Sequence, residues 1–259
     1  MSNELPYGGV FADLYNRRWA WFAQQAAPRI EAFYASRSVA SKNRSMLDVC
    51  CGTGQLAVHF LERGFTVVGI DSSPYMLAHA RVNAAPWVEA GIARFVQADA
   101  ADFDVGRGFG LAVSTYDALN HLSGPDALAA CFRCVYAALA DDGWFLFDLN
   151  TELAFRTRWN GISVQDDEEA MIVSRSVYDA ANRVAFTKLS GFLRAQDGRY
   201  DRFEELVPEA AYDLKQVERA LRAVGFVSVA FADGADPQAL IEEPEAKTRV
   251  FVVAGKQDA

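Results

Sequence analysis

The sequence predicts an α/β fold built on a doubly wound, mostly parallel β-sheet. Apolar strands and amphipathic helices alternate between residues 46 and 150, as in a series of β–α–β units. Several strands, such as VVGI and WFLF, are continuously apolar, which is typical of strands covered by helices on both faces. With 259 residues, 51% of them hydrophobic, the chain is long enough for one large domain with a smaller addition.

The elements of this region can be assigned in chain order. An N-terminal helical segment at 8–36, which Pro28 is expected to break or restart, is followed by a polar linker at 38–45. Ser73 and Pro74 have the residue types of an N-cap and a first helical position. The predicted strands cover residues 46–50, 65–71, 93–99, 108–115 and 144–150. The helices between them cover residues 54–64, 73–84 and 124–143.

After Asn150 the pattern changes, and strands follow one another without a helix between them. Turn sequences, DAAN and QDG, separate three strands of a predicted antiparallel meander at 170–179, 183–195 and 199–207. A helix and two strands then complete the α/β unit at 213–225, 226–233 and 248–255. The predicted organisation is a helical cap (1–45), a ligand-binding α/β domain (46–150 and 209–259) and an inserted β lid (151–208).

The composition excludes several classes of protein. A net charge of −9 argues against a nucleic-acid partner, which would require a basic surface. We expect no membrane partner, because no apolar stretch approaches the ~20 residues of a membrane span. Cys131 and Cys134 form a CxxC pair, but they lie in a strongly helical segment where thiols are ordinary core residues, so no metal site is expected. The absence of a signal peptide and the use of cysteine predict a cytoplasmic chain with reduced thiols.

A carboxylate and a glycine turn mark the end of the first predicted strand, in MLDVCCGTGQLAVHF. Gly52 and Gly54 permit a tight turn that a ligand can approach closely, and Asp71 ends the second strand, where an acid can bind ribose hydroxyls. Dinucleotides use the same pattern, so an NAD(P)-dependent oxidoreductase is one interpretation. Asp48 argues against it, because a carboxylate here would repel a pyrophosphate and attract a ligand with an ammonium group.

Four motifs in this order, MLDVCCGTG, VVGIDSSPYML, FVQADAADF and DDGWFLFDLN, resemble those of the class I S-adenosylmethionine-dependent methyltransferases. The resemblance implies S-adenosylmethionine as methyl donor and S-adenosylhomocysteine as product. It also implies a seven-stranded sheet whose last strand is antiparallel, and the helix-free connection before the strand at 248–255 agrees with this. Where the family motif has its first glycine, this chain has the bulkier Cys50.

The resemblance further implies which residues contact the donor. The methionine part would be faced by Asp48, Cys50, Gly52 and Gly54. The adenosine part would be bound by Asp71, Ser72, Met76, Asp99 and Ala100. In addition, Tyr15 and Trp19 on the N-terminal helix could close over the donor, because aromatic faces attract a sulfonium.

The acceptor is expected beside the segment after the fourth predicted strand, which begins at Thr115. There His121 is the best candidate for a general base, Asp117 could position an amine, and Tyr116 could pack against the donor. The inserted meander resembles that of small-molecule methyltransferases such as the aminosugar N-methyltransferases. It lacks the histidine of their FEE-x-H pattern, since Val207 stands at that position.

These observations predict methyl transfer to a nitrogen or oxygen of a small molecule, with nitrogen favoured by the acidic residues. A non-catalytic S-adenosylmethionine-binding protein remains an alternative, because positioning catalysis requires no obligatory catalytic residue. A homodimer formed through the edge of the β insertion is a further expectation.

Overall fold

The N-terminal cap consists of two helices. The computed structural model of the protein describes residues 7–257, and none of the helices in this range is long and apolar enough to cross a bilayer. The cap helices are α1 (Gly9–Arg18) and α2 (Trp21–Ala35), so the expected break at Pro28 is wrong. Pro28 lies on the exposed face of α2, where the helix gives up one hydrogen bond while its opposite face stays packed.

The main sheet follows, with strands and helices in the predicted alternation. Its elements are β1 (Ser45–Val49), α3 (Gln55–Leu61), β2 (Thr66–Asp71), α4 (Pro74–Asn83), α5 (Ala85–Glu89), β3 (Ala93–Gln97), β4 (Phe109–Ser114), α6 (Pro125–Ala138) and β5 (Leu139–Asn150). The helix α6 ends five residues before the predicted position at 143. Leu139 already pairs with Phe109 of β4, so strand pairing overrides the helical pattern there.

A second, antiparallel sheet is inserted after β5. It follows α7 (Glu152–Arg158) and consists of β6 (Gly161–Asp166), β7 (Ala170–Asp179), β8 (Val184–Arg194) and β9 (Tyr200–Ala210) in that spatial order. The meander therefore has four strands and not the predicted three. Every residue of β6 is exposed, so this edge strand lacks the alternation of buried and exposed positions that would have indicated it.

The chain then returns to the main sheet through α8 (Leu214–Val224), β10 (Ser228–Asp233), β11 (Asp236–Leu240) and β12 (Arg249–Gly255). The strand order is β11-β10-β12-β5-β4-β1-β2-β3. The predicted antiparallel last strand is confirmed, since β12 is antiparallel to both β5 and β10. An eighth strand, β11, lies at the edge, where a strand tolerates its Pro237.

The helix α1 joins the second sheet to the main domain. Its Phe11 and Leu14 are buried with Ile172, Leu189 and Phe203, which come from three strands of the second sheet. On its other side α1 packs against α4. The cap and the insertion are therefore held together over the main sheet.

Candidate functional site

A cavity of about 630 Å³ lies at the carboxyl ends of the parallel strands. Its wall includes residues that follow β1, β2, β3 and β4, together with side chains of α1, β8 and β9. Ligands of open α/β sheets bind at this edge, because the strand order reverses there and leaves a crevice. The second sheet and α1 cover this crevice.

Most of the predicted site residues line this cavity. The wall contains Tyr15, Trp19, Cys50, Gly52, Asp71, Ser72, Met76, Asp99, Ala100, Thr115, Tyr116, Asp117 and His121. Asp48 and Gly54 do not line it. Gly54 has φ +82°, and a Cβ there would lie 3.0 Å from that of Ala80, so this glycine serves the turn and the packing of α3 on α4.

The glycine turn and the end of β2 are linked by hydrogen bonds. The Gly52 amide donates to Asp71 Oδ2 and the Ser73 amide donates to Oδ1, both at 2.9 Å. A carboxylate has about four acceptor positions, so Asp71 can still accept hydrogen bonds from a ligand. Cys50, at the position of the family glycine, has φ +58°, so the turn keeps its left-handed geometry despite the side chain.

Asp48 lies behind this turn and is only 2% exposed. Its Oδ2 is buried and has no hydrogen-bond partner among the described residues. Burial, and to a smaller extent the neighbouring Asp71, raises the pKa of Asp48 to about 8. Such a group is costly in a folded protein, and a cationic ligand at the turn would compensate it.

The segment after β4 forms the opposite end of the cavity. Tyr116 and Asp117 both have positive φ, +66° and +50°, which is uncommon outside glycine. Both amides donate to Asp148 of β5, at 2.6 and 3.0 Å, so one buried carboxylate holds this turn in place. The Tyr116 ring is stacked on Phe22 of α2 with a centroid distance of 4.8 Å.

Arg249, at the start of β12, connects two of these acids. Its guanidinium donates to Asp148 Oδ2 and to Asp117 Oδ1, the latter at 2.7 Å. The Asn150 amide donates to the other Asp117 oxygen at 2.9 Å. Asp117 therefore has a partner on each carboxylate oxygen and is neutralised by Arg249.

Two further titratable groups face the cavity beside Asp117. His121 Nδ1 lies 3.2 Å from the Pro208 carbonyl, which can only accept, so Nδ1 carries the proton. Burial lowers the pKa of His121, which favours the neutral ring with a lone pair on Nε2. Glu209 of β9 is 5% exposed, and burial raises its pKa to about 8.

Sequence reasoning missed Arg249, Asp148, Asn150 and Glu209. Asp148 did give a signal, because a carboxylate inside the buried run WFLFDLN must have a partner. The register of β5 with β12, which pairs Asp148 with Phe251 and Asn150 with Arg249, brings that partner close. Glu209 gave no such signal, since nothing in the sequence of β9 indicates which face of the strand is buried.

Three features define the class of this fold: the glycine turn, the acids at the ends of β2 and β3, and the antiparallel last strand. Together they are those of a nucleoside-binding α/β fold of the S-adenosylmethionine-dependent methyltransferase type. The residues of the cavity also fit S-adenosylmethionine. Asp71 retains acceptor positions toward the cavity, and the unpartnered Asp48 oxygen lies behind the turn.

Comparisons with known proteins agree with this class. Residues 46–143 match the family model described as a methyltransferase domain. A putative methyltransferase of Geobacillus sp. (strain WCH70) is 28% identical over 99% of this chain and 95% of its own. The dTDP-3-amino-3,6-dideoxy-alpha-D-glucopyranose N,N-dimethyltransferase of Streptomyces fradiae is 33% identical over 54% of this chain and 53% of its own.

Among solved structures, an S-adenosylmethionine-dependent methyltransferase from Clostridium acetobutylicum superposes with a TM-score of 0.78 at 22% identity. The match covers 96% of this chain and 98% of that one, so the fold is shared over nearly the whole length. The matched domain, the methyltransferase relatives and the shared fold together support an S-adenosylmethionine-dependent methyltransferase.

Proposed function

We propose that this methyltransferase methylates an amine nitrogen of a small molecule. Residues 151–208 would form a lid over the site and the segment 1–45 a cap, of which residues 1–6 lie outside the described range. The observation that carries the proposal is the cluster of Asp117, His121 and Glu209 on the cavity wall, together with Asp71 on the same wall. In this cluster Asp117 is paired with Arg249, whereas Glu209 has no described cation beside it, so a protonated amine would gain a charge partner there that a neutral hydroxyl would not. The Streptomyces relative is named for an amino sugar, which is consistent with this choice.

The donor would be held at the end of the cavity formed by the turn and β2. Asp71 would accept hydrogen bonds from ribose hydroxyls, Ser72 and Met76 would flank the adenine, and Asp99 with Ala100 would bind its edge. Bound S-adenosylmethionine supplies a methyl group on a positively charged sulfonium, which an in-line nucleophile can displace. The rings of Tyr15 and Trp19 enclose this space and favour the positive charge.

At the acceptor end, the residues position the nucleophile and manage its proton. His121, neutral and with a free Nε2, can accept a proton from an acceptor that enters the cavity. Asp117, held by Arg249, would orient the acceptor, and Tyr116 would contact the donor. Alignment of donor and acceptor alone can supply roughly 7–11 kcal/mol of the catalytic effect.

The test is a turnover assay with two sugar nucleotides that differ at one position only. One carries an amine there and the other carries a hydroxyl. S-adenosylhomocysteine release and product mass are measured for each. We expect methylated amine and no reaction with the hydroxyl compound. Methylation of the hydroxyl compound alone would exclude the amine proposal and favour the oxygen alternative.

We also propose a homodimer formed through the insertion. The outer face of the second sheet exposes large apolar side chains, more than a monomer normally leaves in contact with water: Ile162, Val164, Met171, Val177, Phe186, Phe192 and Leu206. Light scattering should give twice the chain mass, and Phe192→Glu should halve it. A wild-type protein that stays monomeric at micromolar concentration would exclude the dimer.

For its location we propose the cytoplasm. All four cysteines, Cys50, Cys51, Cys131 and Cys134, are free thiols, and burial raises the pKa of three of them. Reduced, unreactive thiols are typical of the cytoplasm. Fractionation of the native host would test this.

A further inference from the structure

We propose that Glu209 binds the protonated amine of the acceptor and accepts one of its protons, and so selects amines over alcohols. This inference rests on the proposed N-methylation and identifies the residue that enforces it.

Glu209 is a buried acid on the cavity wall, and one of its two carboxylate oxygens has no hydrogen-bond partner among the described residues. It lies on β9 and is 5% exposed, and its Oε1 accepts a hydrogen bond from Trp159 Nε1 at 3.2 Å. Its Oε2 is buried without a hydrogen-bond partner among the residues that the structure describes. A buried carboxylate oxygen normally has a partner, so its absence here points to a group that a ligand brings.

The surroundings of Glu209 favour a cationic group over other ligands. One oxygen or nitrogen atom on each of Asp117, His121 and Glu209 lies within 4.8 Å of those on the other two. Asp117 is already neutralised by Arg249, whereas no described cation pairs with Glu209. Burial, followed by the charge of Asp117, raises the pKa of Glu209. An entering ammonium supplies the missing charge and several N–H donors.

A metal ion fits this cluster less well than an ammonium. Both oxygens of Asp117 have partners, at 2.7 Å from Arg249 and 2.9 Å from Asn150. A metal would have to displace one of them, and it would then lie beside the positive charge of Arg249. An ammonium requires only the free Oε2 of Glu209 and the lone pair of His121.

The proposed proton transfer runs from the ammonium of the acceptor to Glu209. With a pKa of about 8, Glu209 is mostly the neutral acid at pH 7, and it releases its proton to solvent when the ammonium binds. One N–H bond of the ammonium then breaks and one O–H bond forms at Glu209 Oε2, so that the ammonium and the carboxylate become a neutral amine and a neutral acid. The nitrogen then has the lone pair that a methyl transfer requires. The proton leaves Glu209 to solvent when the product departs.

Binding experiments on the full chain saturated with S-adenosylhomocysteine test this role. Cyclohexylamine and cyclohexanol serve as probes, since they differ only in the polar group. Wild type is compared with Glu209→Gln and with Glu204→Gln, a matched control on the same strand. Glu204 is exposed and pairs with Lys188 and Arg202 outside the cavity.

We expect wild type and Glu204→Gln to bind the amine at least tenfold more tightly than the alcohol, and Glu209→Gln to show no preference. Calorimetry in two buffers at pH 7 should count about one proton released per amine bound to wild type and none for Glu209→Gln. That proton count distinguishes a ligand contact from a merely structural effect of the substitution.

The outcomes separate the two proposals. If wild type shows no amine preference, the proposed N-methylation fails together with this inference. A wild-type preference that persists in Glu209→Gln overturns only the role of Glu209. Tight Mn²⁺ binding that is lost in Glu209→Gln, without an amine preference, also overturns it and assigns a metal to the cluster.

Discussion

The ion pairs of Arg249 should contribute strongly to stability. Asp148 is fully buried, the Asp117 side chain is 12% exposed, and the Arg249 side chain is 21% exposed. Arg249→Met removes the charge and leaves both carboxylates unpaired. Breaking a buried pair costs roughly 3–5 kcal/mol, and because Arg249 is partly exposed we expect a loss of about 3 kcal/mol. For a chain of this size, that corresponds to a Tm lower by roughly 6–12 °C.

Urea denaturation and thermal unfolding would measure this loss. Arg222→Met is a matched control, because Arg222 forms an exposed pair with Glu218 one helical turn away and should lose no more than about 0.5 kcal/mol. Adding Asp117→Asn to Arg249→Met should restore part of the stability, since one unpaired charge is removed. A loss equal to that of the control would refute the reasoning.

Three other predictions follow from the site. Gly54→Ala should cost about 2 kcal/mol or more in urea denaturation, because it combines a positive φ with a 3.0 Å contact to Ala80. Gly91→Ala, with φ +71° and open space, should cost about half of that, and equal losses would contradict the packing argument. Asp48→Asn should raise Tm without ligand and weaken S-adenosylhomocysteine binding at least tenfold. The pKa of Asp48 is about 8 in the folded protein, above its value in the unfolded chain. The stabilisation by Asp48→Asn should therefore vanish near pH 4 and be complete above pH 8. The affinity for cyclohexylamine should rise between pH 6 and 8 as Glu209 ionises. An affinity that does not change over this range would count against the role of Glu209.

The sequence was sufficient for the parts of the fold that local patterns determine. Continuous apolar runs marked the parallel strands, and the glycine turn with Asp71 marked the binding edge. The antiparallel β12 followed from the helix-free connection before it. Patterns of this kind are local, and the tertiary structure agrees with them.

The remaining features depend on pairing between distant segments. The strand β6 is exposed on both faces and β11 contains a proline, so neither shows a strand pattern. The end of α6 is set by pairing of Leu139 with β4. Glu209 faces the cavity because β9 pairs with β8 in one register, and a shift by one residue would have turned it outward.

The central claim is that the cavity binds the donor through Asp71, and a thermal unfolding series tests it most directly. Wild type and Asp71→Ala are heated with S-adenosylhomocysteine or with NADH. A ligand at 100 times its Kd stabilises by about 2.7 kcal/mol, or roughly 5–10 °C for a chain of this size. We predict that rise for wild type with S-adenosylhomocysteine only, and its loss in Asp71→Ala. A rise with NADH alone, or one that Asp71→Ala leaves intact, would contradict the account.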